Sequence, residues 1–314
     1  MSGLVTIGES LGLVISRGIG GFGLGSAAEV SFGGAESNVA IGAARLGCES
    51  TWIGRLGADP MGNRILRTLR GEGVRTVCTI DDVAPTALML KDRPHLGATS
   101  VHYYRAGSAG SRIAAADVPD DILKTASVLH VTGISLAIGD EAAATTMDAV
   151  RRAKANGAII SFDINHRTRL WSIERAAASY LELITLADVV FAGADEASIV
   201  VGEGTPAEQL RAIQGLGPAQ VIVKLGADGA IGVGGNELIE QAAFAVPVAD
   251  TVGAGDAFVA GYLVEFIAGA DLATSMRTAS AAGAFACRSD GDWEGLPTRR
   301  DIAALVSDCD PVRR

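Results

Sequence analysis

Short apolar runs alternate with helical periodicities from the start of this chain to about residue 225. LVTIG at 4–8, TWIGRLG at 51–57, SVLHVTG at 127–133, AIISFDI at 158–164, ADVVFAG at 187–193 and QVIVKLG at 220–226 have the length and composition of buried strands. Between them, SNVAIGAARLG at 37–47, MGNRILRTLRGEG at 61–73, EAAATTMDAVRRAKANG at 141–157 and SIERAAASYLELIT at 172–185 repeat their apolar positions at helical spacing. A strand that is apolar at every position is buried on both faces, and strand–helix alternation predicts a mostly parallel sheet with helices on both sides.

Two stretches break the alternation. Residues 11–33 hold LGLVIS and EVSFG around a glycine-rich turn, and residues 86–105 hold TALMLKD and SVHYYR. Four strands without intervening helices predict a small antiparallel sheet apart from the main one, placed as a lid. Residues 254–287 read as strongly helical and rich in Ala.

Composition narrows the partners. The chain has 314 residues, of which 48% are hydrophobic, and carries a net charge of −10. An acidic protein of this kind is not built for nucleic acid or an anionic membrane surface. Its four cysteines, Cys48, Cys78, Cys287 and Cys309, form no CxxC pair, which argues against a disulfide framework and a zinc site. The N-terminus lacks a basic n-region, and apolar runs stay short of a membrane span, so the expected compartment is the cytoplasm.

Chemistry concentrates in DTVGAGDAFVAG, starting at Asp250. Gly253, Ala254 and Gly255 are small enough for a ligand to approach the backbone, and an apolar helix follows them. Free N–H groups at a helix start form an anion hole suited to a transferring phosphoryl group. Asp256 stands where a carboxylate can take the proton of an attacking hydroxyl, although an Asp here can also cap the helix. Asn38, in GGAESNVA, offers donor and acceptor at another helix start. GIGGFG at 18–23 matches GxGxxG by letter, but a strand pattern follows it instead of a helix, so it reads as a glycine-rich hairpin. His166 reads as packing or edge polarity.

GAGD followed by AFVAG resembles the signature of the ribokinase-like (PfkB) carbohydrate kinases. GGAESNVAIGAARLG at 33–47 and VIVKLGADGA at 221–230 match the same family in the same order. Within it, GGAESNVA with Glu36, VHYYRAGSAGS at 101–111, VTGIS at 131–135, SFDINHR at 161–167 and GDWEGLP at 291–297 look most like the 2-keto-3-deoxygluconate kinases. The resemblance implies one kinase domain over 1–314, with lid strands from about 11–33 and 86–107. It implies Asp256 as base, with Gly253, Ala254 and Gly255 around the phosphoryl group. Gly33, Gly34, Asn38, Tyr103, Arg105, Ile134, Arg167 and Asp292 would meet the sugar. Asn165, Lys224, Gly226 and Gly229 would meet ATP.

Mg²⁺ is implied as well, organised by Glu196 through water. Gly193 departs from the Asn that the family often has in that motif. A monovalent cation such as K⁺ near Asp250 is a further expectation, as is a homo-oligomer formed through the lid. A sugar acid wants planar bidentate donors, which Arg105 and Arg167 can supply. Met89 stands in a lid strand where relatives offer a polar aromatic. A fructokinase- or ribokinase-like sugar kinase would keep Asp256 without those arginines. A non-catalytic sugar-binding or NAD-binding protein would not need Asp256 at all.

Overall fold

The computed structural model describes residues 2–308 apart from 19, 25–26 and 96–97; Cys309 therefore lies outside the described residues. In chain order the strands are β1 (Ser2–Ile7), β2 (Leu11–Ser16), β3 (Ala28–Gly33), β4 (Ser50–Gly57), β5 (Arg75–Asp81), β6 (Leu88–His95), β7 (Ala98–Tyr104), β8 (Ala126–Thr132), β9 (Ile159–Asp163), β10 (Val189–Gly193), β11 (Gln220–Lys224), β12 (Ala230–Gly234) and β13 (Glu237–Gln241). The helices are α1 (Ala35–Arg45), α2 (Pro60–Gly71), α3 (Asp120–Thr125), α4 (Gly133–Ala137), α5 (Asp140–Ala155), α6 (Ile173–Ile184), α7 (Ala194–Val201), α8 (Pro206–Gln214), α9 (Ala254–Ile267), α10 (Leu272–Ala286) and α11 (Arg299–Asp308).

Nine strands form the main sheet in the order β13-β12-β11-β10-β9-β8-β1-β4-β5. Every neighbouring pair from β5 to β11 is parallel, with Val5 opposite Leu129 and Val190 opposite Phe162, and β12 alone runs against the rest, antiparallel to both β11 and β13. Successive side chains on a strand point to opposite faces. On β10, Val189 and Phe191 enter one core while Val190 and Ala192 enter the other; Ile222 on β11 separates from Val221 and Val223 in the same way. Both faces are therefore dry, which accounts for the unbroken apolar runs in the sequence. Each fully buried large side chain, such as Trp52 or Phe191, contributes on the order of 1.5–3 kcal/mol of transfer free energy.

The helical stretch at 254–287 is two helices. Gly269, with φ +79°, ends the first, and the Asp271 carboxylate caps the second by accepting from Thr274 N at 2.8 Å. Small residues let α9 lie close to its neighbours: a Cβ on Gly42 of α1 would stand 2.7 Å from Ala260, and one on Gly261 would stand 3.1 Å from Ala279 of α10.

The second sheet has the order β3-β2-β6-β7 and comes from the two stretches expected to form a lid. Each hairpin is antiparallel, and the two join along a parallel seam, with Ile15 opposite Lys91. The glycine-rich segment after β2 leads to β3, which pairs back on β2, so the described part of GIGGFG belongs to a hairpin. No helix among the described residues is long and apolar enough to cross a membrane.

Candidate active site

Parallel strands deliver their carboxyl ends to one edge of the sheet, where ligands bind in such folds. Glu9 follows β1, Ile134 follows β8, Asp163 ends β9 and Lys224 ends β11. The lid faces this edge, and between them lies a cavity of about 430 Å³. Its walls bring together Gly33, Gly34, Asn38, Ile134 and Asp292 with Tyr103 and Arg105 of the lid. Gly253, Gly255 and Asp256 form its inner end, and Asn165, Arg167 and Lys224 stand beside them. A second cavity, of about 580 Å³, adjoins it and is lined by Gly226, Gly229, Ala254 and the apolar side chains Phe244, Val246 and Phe258. Lys224 and Gly255 line both cavities.

The turn before α9 is shaped by Gly253, whose φ of +76° is left-handed. A Cβ there would lie 2.0 Å from the Asp292 carbonyl oxygen. Ala254 N–H already donates to Thr251 O at 3.3 Å. Among the described residues Gly255 and Asp256 N–H have no such partner, so the free donors of the first turn fall one residue later than expected.

Asp256 is half-buried, and burial pushes its pKa up to about 6, with Asn38, Arg167 and Lys224 pulling the other way. Asn38 Nδ2 donates to Asp256 Oδ2 at 2.7 Å. Asn38, expected at the sugar hydroxyls, lines the first cavity; its donor orients the carboxylate, and its buried Oδ1 has no partner. Glu36 fixes the start of α1 beneath it by accepting from Thr132 at 2.6 Å and Ser135 at 2.7 Å. Asp292 is buried, and burial together with the nearby Asp256 and Glu294 carboxylates raises it to about 7.

The two arginines differ. Arg105 Nη2 lies 2.6 Å from Glu9 Oε2, and Ser108 Oγ donates to the other oxygen of that carboxylate. Arg167 is exposed, and its guanidinium has no hydrogen-bond or ion-pair partner among the described residues. It follows Asn165, the only non-glycine residue with positive φ among the described residues, at +39°. Asn165 was expected at the nucleotide, but this bend sets it in the first cavity with Arg167.

Lys224 Nζ donates to both Asp163 oxygens at 2.8 Å. Burial alone would lower the ammonium pKa, but the Asp163 carboxylate and then Glu196 hold it above its ordinary value. Sequence reasoning gave no role to Glu9, Asp163 or Lys91: the first two are single charges at the ends of apolar runs, and Lys91 is one within a lid strand.

Two expected site residues line neither cavity. Glu196 closes a capping box, accepting from Gly193 N at 2.7 Å and His166 N at 2.8 Å, so both its oxygens serve the backbone. Gly193 needs only its backbone N–H in this role, which any residue but proline would supply. Asp250, expected at a monovalent cation, is met by the Lys91 ammonium. His166 packs as expected, its Nδ1 3.0 Å from the Tyr180 hydroxyl. Among the described residues no group of three or more His, Cys, Asp or Glu side chains could cage a metal.

The profile of the pfkB family carbohydrate kinases matches residues 19–299. The chain belongs to the PfkB family of carbohydrate kinases. A 2-dehydro-3-deoxygluconokinase of Bacillus subtilis is 36% identical over 307 residues, 96% of this chain and 95% of that one. Another from Thermoproteus tenax is 35% identical, over 87% and 84% of the two chains. Among solved structures, fructokinase from Vibrio cholerae in a form with fructose, ADP and calcium ion bound superposes with a TM-score of 0.86 at 30% identity. It covers 97% of this chain and 99% of its own. The chain is thus a phosphotransferase with the ribokinase fold.

Proposed function

We propose that this kinase transfers the γ-phosphoryl group of ATP to the 6-hydroxyl of 2-keto-3-deoxygluconate, and that residues 1–314 act as one kinase unit. The observation that carries the substrate is Arg167, an unpaired guanidinium in the same cavity as Asp256. The likeness to two 2-dehydro-3-deoxygluconokinases, the same activity under another name, supports it.

The sugar acid would lie between lid and sheet with its carboxylate at Arg167 and its hydroxyl at Asp256. Asp256 takes the hydroxyl proton, and the oxygen attacks phosphorus as the bond to the bridging oxygen breaks. The Gly255 and Asp256 N–H groups, with the Lys224 ammonium, stabilise charge on the transferring group. The second cavity suits a purine: apolar walls for the ring and small residues at 226, 229 and 254 for close approach. Magnesium would arrive with ATP and neutralise its phosphates, held mainly by phosphate and water oxygens, since the described residues offer no carboxylate cage. Two copies would pair through the lid, covering the exposed Val30 and Tyr104, and light scattering would then report a dimer.

A fructokinase-like reading has two observations in its favour. Arg105 is neutralised by Glu9, and Met89 presents an apolar wall to the first cavity. A coupled ADP-release screen with MgATP over sugars and sugar acids decides between them. The expected result is the highest kcat/KM with 2-keto-3-deoxygluconate; a maximum with fructose would overturn the substrate assignment.

A further inference from the structure

Lys91 sits in the centre of the lid, on β6, opposite Ile15 of β2 on one side and Val101 of β7 on the other. Its side chain is only 9% exposed, and its ammonium meets Asp250 Oδ2, whose side chain is 13% exposed. Asp250 belongs to the other part of the molecule, in the loop that leads into α9. Its second oxygen, Oδ1, accepts from Val252 N at 3.2 Å, one residue before the left-handed Gly253. A single carboxylate therefore connects a lid strand with the turn that aims the Gly255 and Asp256 N–H groups. Other lid contacts, such as Arg93 with Asp290 at 3.5 Å, are more exposed and do not reach this turn.

We propose that Lys91 is a positioning residue: through Asp250 it ties the position of the lid to the order of the phosphoryl-binding turn, so each reports the state of the other. A buried pair of this kind is costly to break by removing one partner, because the remaining charge is left without compensation in a dry site. The turn is then held in shape only while the lid is down, and nucleotide at the turn favours the closed lid, since coupling between two sites is reciprocal. The consequence for catalysis is that the donors reach phosphoryl-transfer geometry when water is already excluded. The inference rests on the kinase assignment and not on which sugar is the acceptor.

The test uses no sugar. Amide hydrogen exchange of the full-length protein is followed with and without the magnesium complex of AMP-PNP. In the parent, nucleotide should slow exchange at the start of α9 and also in β6 and β7, by at least about fivefold, the low end of typical coupling between sites. In Lys91→Met the α9 protection should remain and the lid protection should vanish. Asp250→Asn should behave like Lys91→Met, while Lys91→Arg, which keeps the ion pair, should restore lid protection. A merely structural Lys91 would loosen the lid with and without nucleotide alike and leave the nucleotide-induced difference in place. That result, or a parent whose lid does not respond to nucleotide, would overturn the proposal. Should Lys91→Met fail to fold, Asp250→Asn and Lys91→Arg carry the same decision.

Discussion

At Asp256 the requirements of folding and of chemistry pull apart. Burial raises the carboxyl pKa to about 6, close enough to neutrality for a useful base and far enough below it to stay ionised in most molecules. Asp256→Asn should lower kcat by at least roughly 10²-fold, the lower range for general acid–base catalysis, while nucleotide binding by calorimetry stays near the parent value. The sign of its effect on stability follows from linkage. The folded pKa lies above the unfolded one, so the ionised group disfavours the fold above about pH 6 and has no such effect below the unfolded value. Asp256→Asn should therefore melt no lower than the parent at pH 7.5. Its advantage should shrink towards pH 4. The same pKa predicts a kcat/KM that falls as pH drops through about 6. Arg167 holds that pKa down, so Arg167→Ala should move the acid limb to higher pH. A pH–rate profile unchanged in that variant would detach Arg167 from the base.

At the scale of elements, the chain's own pattern announces most of the site's supports. The strands that end at Asp163 and Lys224 were legible as apolar runs, and the lid as two helix-free pairs of strands. What could not be read has physical causes. β5 is half-exposed and polar at alternate positions, and β12 and β13 are short, with Gly232 and Gly234 in the first and charged residues in the second. GAGD marked the candidate anion hole, but no sequence signal separates the engaged Ala254 N–H from the free Gly255 N–H, because that depends on the turn at Thr251. The partners of Arg105 and Asp250 were equally hidden, since Glu9 and Lys91 are far from them along the chain. The turn itself offers an element-scale test. In Gly253→Ala a left-handed φ costs about 1–2 kcal/mol for a residue with a Cβ. The added carbon also meets the Asp292 carbonyl, so the turn must shift. We expect kcat to fall by more than the loss of thermal stability accounts for, with KM for the sugar little changed. A variant with parental turnover would show that the turn tolerates displacement.

Over the whole molecule, the first cavity is lined by residues from both sheets, so the proposed selectivity for a sugar acid would be a property of lid and base together. Arg105 comes from the lid side and Arg167 from the sheet edge, yet they are not equivalent. Arg105 is matched by Glu9, and removing it leaves a buried carboxylate uncompensated, a loss felt by any substrate. Arg167 feels the Asp256 carboxylate but makes no ion pair among the described residues, so a substrate carboxylate can take its guanidinium. A hydrogen bond to a charged group contributes about 1.5–3 kcal/mol, or roughly 10- to 150-fold in kcat/KM at 1.4 kcal/mol per decade. Arg167→Ala should therefore erase most of the preference for 2-keto-3-deoxygluconate over fructose and leave the rate with fructose nearly unchanged. Arg105→Ala should lower kcat/KM for both substrates by similar factors. Parallel measurement of kcat/KM for the two sugars in parent and both variants separates these roles. Equal losses on both sugars in Arg167→Ala would make it structural, and selective loss of the sugar acid in Arg105→Ala alone would place the carboxylate at the lid, with Glu9 displaced to make room for it.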